Sequence, residues 1–265
     1  MAKILFAIFG NPVSHSKSPL MHNLSFRGLG LDACYARYRL NEGEKLKETF
    51  FTLGLKGINI TVPHKEHAYA ACDVLDPFAK KVGAVNTIVE KEGLLYGYNT
   101  DAPGFLKAIS EFQHIKTVLF LGAGGTAQAT SRILRDEGYE VTLLNRSEGR
   151  LEKFKKNGFK TYTFETFTPC AYDLIINMTS AGLEDNSLPA PKELLDQIIP
   201  QTNACVDVIY GKETAFLKLA KLHGKASKDG SDMLLYQGII AFGYFTDQCY
   251  TFTEIKSHMQ KAFIL

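Results

Sequence analysis

Short apolar runs alternate along the chain with stretches in which apolar residues recur every three or four positions. That rhythm predicts an α/β protein with largely parallel sheets. Lys3 to Phe9 predicts a first strand, followed by the loop Gly10-Asn11-Pro12-Val13-Ser14-His15-Ser16-Lys17. Ser18 before Pro19 predicts an N-cap and a first-turn proline, opening a helix through Leu24 that Gly28 and Gly30 close. Cys34 to Leu40 predicts a strand and Glu44 to Leu53 a helix. Gly57 to Val62 has a period of two, so Ile58, Ile60 and Val62 face one way and Asn59 and Thr61 the other. Pro63 ends this strand, and Lys65 starts a helix toward Ala71. Ala84 to Val89 and Leu94 to Tyr98 predict a hairpin turning near Lys91-Glu92-Gly93. A cap-like Asp101 ahead of Pro103 then predicts a helix to about Glu111.

A second unit begins near Lys116. Thr117 to Leu121 predicts a strand, Gly122-Ala123-Gly124-Gly125 a tight turn, and the following residues a helix to about Glu137. Further strands are expected at Val141 to Leu144, Asp173 to Asn177 and Ala204 to Ile209, with helix from Asp229-Gly230 to the C-terminus. The boundary between the units falls within about 102–115, giving domains at 1–101 and 102–235.

A length of 265 residues suits one large or two ordinary domains, and 45% hydrophobic residues is globular usage. With 30 Lys+Arg against 28 Asp+Glu the net charge is +2, which gives no basis for a nucleic-acid partner. The longest apolar runs are strand-sized, too short to cross a bilayer, and the N-terminus lacks the apolar core of a signal peptide. A cytoplasmic protein without a membrane partner is expected. The five cysteines (34, 72, 170, 205 and 249) include no C-x-x-C or C-x-x-H pair, so neither a disulfide framework nor a metal site is expected.

The turn after the second unit's first strand carries chemistry. Gly122-Ala123-Gly124-Gly125-Thr126-Ala127 fits G-x-G-x-x-G/A between a strand and a helix. The first glycine permits the turn, the second lets backbone approach a pyrophosphate, and the small Ala127 lets helix pack on strand. The helix N-terminus presents free N–H groups and a positive dipole end to phosphates. The next strand ends Asn145-Arg146-Ser147, with Arg150 beyond, where an NAD site usually has a carboxylate. Guanidinium groups pair with phosphate in a planar fork, so the residues predict NADP rather than NAD.

The first unit gathers small polar residues near strand ends: Ser14, Ser16, Ser18, Asn59, Thr61, Asn86 and Thr100. Hydroxyls and amides both donate and accept, which suits a polyhydroxylated substrate. Two serines spaced i, i+2 before a helix offer two hydroxyl donors to a carboxylate.

The same residues carry a resemblance. Gly10-Asn11-Pro12, His15-Ser16-Lys17-Ser18-Pro19, Asn59-Ile60-Thr61-Val62-Pro63-His64-Lys65, Gly83-Ala84-Val85-Asn86-Thr87 and Gly97-Tyr98-Asn99-Thr100-Asp101 resemble the shikimate dehydrogenase family. The glycine turn, Asn145-Arg146-Ser147, Asn177-Met178-Thr179-Ser180, Asp207-Val208-Ile209-Tyr210 and Asp229-Gly230 through Gln237 continue it in family order. The chain departs from the family pattern at Met178, where alanine is common, and at Asp232, where glycine is frequent.

The resemblance implies reversible NADPH-dependent reduction of 3-dehydroshikimate to shikimate, a step of aromatic amino-acid (chorismate) biosynthesis. It implies an N-terminal α/β substrate domain, a Rossmann-type NADP domain, a cleft between them, and residues 236–265 rejoining the first domain, in a monomer or homodimer. Ser16 and Ser18 would hold the substrate carboxylate, with Tyr210 near that end. Asn59, Thr61, Asn86 and Gln237 would read its hydroxyls. Thr179, Val208 and Gly230 would border the nicotinamide. Lys65 and Asp101 would be the catalytic pair, with Lys65 as proton donor or stabiliser of the developing alkoxide and Asp101 orienting it, relaying its proton, or binding a hydroxyl. The rival readings are an NAD-dependent quinate/shikimate dehydrogenase, a folate dehydrogenase or tRNA-linked reductase, and a non-catalytic NADP(H) sensor.

Overall fold

In a computed structural model describing residues 3–264, the first apolar run forms β1 (Ile4–Gly10), with its last five residues buried. There follow α1 (Ser18–Gly28), β2 (Ala33–Arg39), α2 (Leu46–Thr52), β3 (Leu55–Ile60), α3 (Lys65–Ala71), β4 (Val74–Leu75), α4 (Pro77–Val82), β5 (Thr87–Lys91), β6 (Leu94–Tyr98) and α5 (Asp101–Ile109). Next come β7 (Thr117–Leu121), α6 (Gly125–Asp136), β8 (Glu140–Asn145), α7 (Glu152–Lys156), β9 (Lys160–Thr163), β10 (Leu174–Asn177) and α8 (Lys192–Ile198). The chain ends with β11 (Ala204–Asp207), α9 (Ala215–Leu222), β12 (Ala226–Lys228), α10 (Ser231–Phe245) and α11 (Phe252–Met259). Two units result: residues up to Gly104 with those from Leu235 onward, and Phe105–Leu234. The chain passes from one to the other inside α5 and again inside α10.

The first unit holds a mixed sheet of order β2-β1-β3-β5-β6-β4. β1 pairs in parallel with β2 and β3, and β5 pairs antiparallel with β3 and β6. Phe9, Leu46, Phe50, Ile58, Ile88 and Leu95 bury one layer. In another layer Phe26 stacks near Phe6 and Phe242, and α11 packs on α1.

The second unit holds a wholly parallel sheet of order β12-β11-β10-β7-β8-β9. Strand order reverses between β7 and β10, the point at which doubly wound folds bind ligands at the carboxyl ends of their strands. β10 and β11 are buried throughout, as strands covered on both faces must be, so they read as continuous apolar runs.

Several expectations shift. Ser18 is the first residue of α1 rather than its cap: Lys17 holds that position and no side chain caps the helix. Asp101 likewise opens α5, while the Asn99 side chain accepts from the Ala102 N–H at 3.3 Å. Both side chains are thereby released from capping. The strand expected from Ala84 begins only at Thr87, because the Val85 N–H turns to the Lys65 carbonyl at 3.1 Å. The strand expected at Gly57 to Val62 runs Leu55–Ile60, and that expected to Ile209 ends at Asp207. The C-terminal helical run breaks after Phe245, where Asp247 and Gln248 take positive φ.

Candidate active site

In the first unit, predicted residues come together at strand ends. Ser16 and Ser18 are both buried. The Ser16 hydroxyl donates to Ser18 Oγ at 3.2 Å and accepts from the Ser18 N–H at 3.2 Å. Thr61, one residue beyond β3, anchors its N–H on the Phe9 carbonyl at 2.9 Å. Its half-buried hydroxyl has no partner among the described residues.

Lys65 opens α3 and Asp101 opens α5. Their side chains meet, Lys65 Nζ donating to Asp101 Oδ2 at 2.5 Å, with 26% and 15% of the side chains exposed. Asn86 Nδ2 donates to the other carboxylate oxygen at 2.8 Å and to Thr100 Oγ1 at 3.0 Å, while its Oδ1 accepts from the Thr100 N–H at 2.7 Å. Asn86 therefore fixes the carboxylate that holds the lysine. Asn59 is buried as well: Nδ2 donates to Thr87 Oγ1 at 3.0 Å and the Asn86 carbonyl at 3.3 Å, and Oδ1 accepts from the Tyr35 hydroxyl at 2.7 Å. Gln237 is buried on α10. A Cβ at Gly104 would lie 2.5 Å from the Gln237 nitrogen, so glycine is what lets α10 cross close to the first turn of α5.

In the second unit Gly122 sits at φ +110°, where a Cβ would also lie 2.7 Å from Thr179 Cγ2. Gly124 and Gly125, at the start of α6, have open space where a Cβ would stand, and no side chain caps the helix. Ala123 and Ala127 turn into the core, and the Thr126 carbonyl accepts from the Thr130 hydroxyl at 2.8 Å. A cavity of about 880 Å³ is lined by Gly122, Asn145, Arg146, Arg150, Thr179 and Ser180, among others. Asn145 turns inward, donating to the Ser147 carbonyl at 2.9 Å and to its hydroxyl at 3.2 Å. Arg146 and Arg150 are exposed and meet no carboxylate among the described residues. Val208 and Gly230 stand apart from this cavity, with Phe105 and Met233, and pack so closely that a side chain at Gly230 would strike the Val208 carbonyl. Tyr210 lies beyond β11, where burial pushes its phenol above the usual range.

Sequence reasoning missed the keystone of this wall. Asp207 is wholly buried and accepts from Asn177 Nδ2 at 3.0 Å, Thr214 Oγ1 at 2.7 Å and the Ile209 N–H at 3.0 Å. Asn177 Oδ1 in turn accepts from the Thr179 N–H and hydroxyl at 2.9 and 2.7 Å. Burial raises the Asp207 carboxyl above its ordinary value, against the pull of these donors. The Asp-Val-Ile-Tyr motif was visible, but nothing local linked it to Thr214 or Asn177.

Residues 8–88 match the model of the shikimate dehydrogenase substrate binding domain. A Helicobacter hepaticus protein named shikimate dehydrogenase (NADP(+)) is 44% identical over 247 residues, covering 92% of each chain. The chain belongs to the shikimate dehydrogenase family. The Thermus thermophilus shikimate 5-dehydrogenase, solved in complex with NADP(H) and shikimate, superposes with a TM-score of 0.85 at 35% identity, covering 98% of this chain and 99% of that one. The Aquifex aeolicus shikimate dehydrogenase gives a TM-score of 0.85 at 36% identity over 97% and 98% of the two chains. Against the family pattern, Met178 is buried in the core, and Asp232 pairs with Lys228 at 2.6 Å. Among the described residues no group of three or more His, Cys, Asp or Glu could hold a metal ion, and no helix is long and apolar enough to cross a membrane.

Proposed function

We propose that this chain interconverts 3-dehydroshikimate and shikimate with NADP(H), in the cytoplasm, as a monomer or a homodimer. The observation that carries the reading is the Lys65–Asp101 pair, held by Asn86 in the same unit as the linked Ser16 and Ser18 hydroxyls. In the reductive direction the Lys65 ammonium gives a proton to the carbonyl oxygen as it becomes an alkoxide. In the oxidative direction the amine so formed takes it back. Asp101 keeps the ammonium aimed at the reacting oxygen. Ser16 and Ser18 hold the substrate carboxylate. Thr61 offers an unspent hydroxyl to the ring, joined by Gln237. Asn59 and Asn86 act mainly by holding the surfaces that touch it.

The second unit fits the coenzyme. Open space at Gly124 and Gly125, an uncapped α6 and two unpaired guanidiniums are what a pyrophosphate and a 2′-phosphate require. Residues 122–127 would receive the pyrophosphate, and Asn145, Arg146, Ser147 and Arg150 the phosphorylated ribose. Thr179, Val208 and Gly230 would border the nicotinamide, which when bound supplies the hydride.

Absorbance at 340 nm tests the reading. Shikimate with NADP⁺ should turn over, and both NAD⁺ and quinate should serve far less well. Binding of NADP⁺ without turnover of shikimate would leave a coenzyme-holding scaffold and refute the enzyme.

A further inference from the structure

A pair of serine hydroxyls does not by itself select an acid. Hydroxyls donate and accept alike, and would serve an ester or an amide nearly as well as a carboxylate. Selection for a charged group needs a fixed cation nearby. In β2, opposite Ile8, Arg37 meets this need. Its Nη2 and Nε donate to the Ser16 carbonyl at 2.6 and 3.1 Å, so the guanidinium grips the backbone that carries the first serine hydroxyl. Those bonds leave further N–H donors of the guanidinium unspent. Arg37 has no carboxylate partner among the described residues, so its charge is not cancelled locally. The neighbouring cations are turned elsewhere: Lys17 lies over the Phe263 ring and Arg39 donates to Asn11 Oδ1 at 3.0 Å.

We infer that Arg37 is the specificity residue for the substrate carboxylate, fixing the Ser16 loop and supplying the charge that makes Ser16 and Ser18 prefer an anion. This rests on the reading of those serines given above.

The test compares shikimate with its uncharged methyl ester on wild type, Arg37→Gln and Arg37→Lys, the ester's affinity being taken from competition against shikimate. Arg37→Gln should raise the KM for shikimate about tenfold, the size of one charge-assisted contact. Its kcat should fall less than twofold and its KM for NADP⁺ should hold, while its affinity for the ester, which senses only the loosened loop, should fall far less than that for shikimate. The acid-over-ester preference and the salt dependence of the shikimate KM should therefore collapse together. Arg37→Lys, which keeps the charge and loses the fork, should recover part of the preference. If Arg37→Gln weakens acid and ester equally, Arg37 only props the loop and the inference is overturned. It is also overturned if the preference survives unchanged in Arg37→Gln. A wild type that does not oxidise shikimate would instead overturn the enzyme reading beneath it.

Discussion

The two units prepare for their ligands in opposite ways. In the first, the polar groups around Lys65 are largely spent on one another before any substrate arrives: Lys65 on Asp101, Asp101 on Asn86, Asn86 on Thr100, Asn59 on Thr87. In the second, the groups at the strand ends are open glycines, an uncapped helix terminus and exposed guanidiniums. The difference follows from the tasks. Moving a proton needs a donor already aimed, since reorganising it during reaction costs rate. Holding a polyanion needs donors left unspent, because a donor committed internally must be released before it can bind. Each unit still has a hidden frame. Asp207 locks the Asn177–Thr179 wall in one, and Tyr35 locks Asn59 in the other.

The sharpest way to break this contrast is at Lys65. Lys65→Ala should lower kcat by about 10² or more, the ordinary worth of a positioned proton donor. Its dissociation constant for NADP⁺, read by fluorescence titration, should stay within about twofold, because the groups proposed to hold the coenzyme belong to the other unit. Near-normal kcat would show that the pre-set network is structural only.

Arg146→Ala probes the opposite unit and should act more weakly. Loss of one guanidinium–phosphate contact should weaken NADP⁺ about tenfold, in proportion to a charge-assisted hydrogen bond. NAD⁺, which lacks the 2′-phosphate, should change little. Equal loss for both coenzymes would mean that Arg146 supports the fold of the loop and does not read the phosphate.

The contrast also explains what could be read from sequence. The open groups were legible because they are local: the glycine turn, the strand end Asn145-Arg146-Ser147 and the paired serines each lie within a few consecutive residues. The alternation in Gly57 to Val62 places Asn59 and Thr61 on one face, although the Asn59 amide is committed to Tyr35 and Thr87 while the Thr61 hydroxyl is not. The locked groups were not legible, because they join residues far apart in sequence, as Tyr35 joins Asn59 and Asp207 joins Asn177. Caps were misread for a related reason. Ser18 before Pro19 and Asp101 before Pro103 have capping chemistry, but Lys17 and Asn99 stand at those turns, and the released side chains bond instead with Ser16 and Lys65. The short strands β4, β9 and β12 and the helices α4, α7, α8 and α9 were not predicted, because runs of two to eight residues give periodicity little to work on.

The last effect falls on folding stability and concerns the frame of the first unit under acid. His22 is fully buried, its ring stacked on Tyr35 at 4.4 Å and flanked by Phe242 and Phe245, with no hydrogen-bond partner on either ring nitrogen among the described residues. Burial lowers its pKa from 6.5 to about 3. A base whose folded pKa is depressed contributes stability that is complete above the unfolded value and is lost as pH falls below it. Between pH 7 and pH 5 this one group should therefore cost about 2 kcal/mol of folding stability, since each pKa unit is worth about 1.4 kcal/mol. Asp207 in the other unit has the opposite sign: its raised carboxyl is relieved by protonation as pH falls. Acid should thus loosen the two units unequally. Denaturant titrations of wild type and His22→Phe at pH 7 and pH 5 isolate the His22 share, because the carboxylates common to both proteins cancel in the difference. The variant should lose about 2 kcal/mol less than wild type over that interval. Hydrogen exchange at pH 5 should place the wild-type loosening around α1 and β2 rather than β10 and β11. An identical pH slope in the two proteins would show that the imidazole is not neutral and isolated in the folded state.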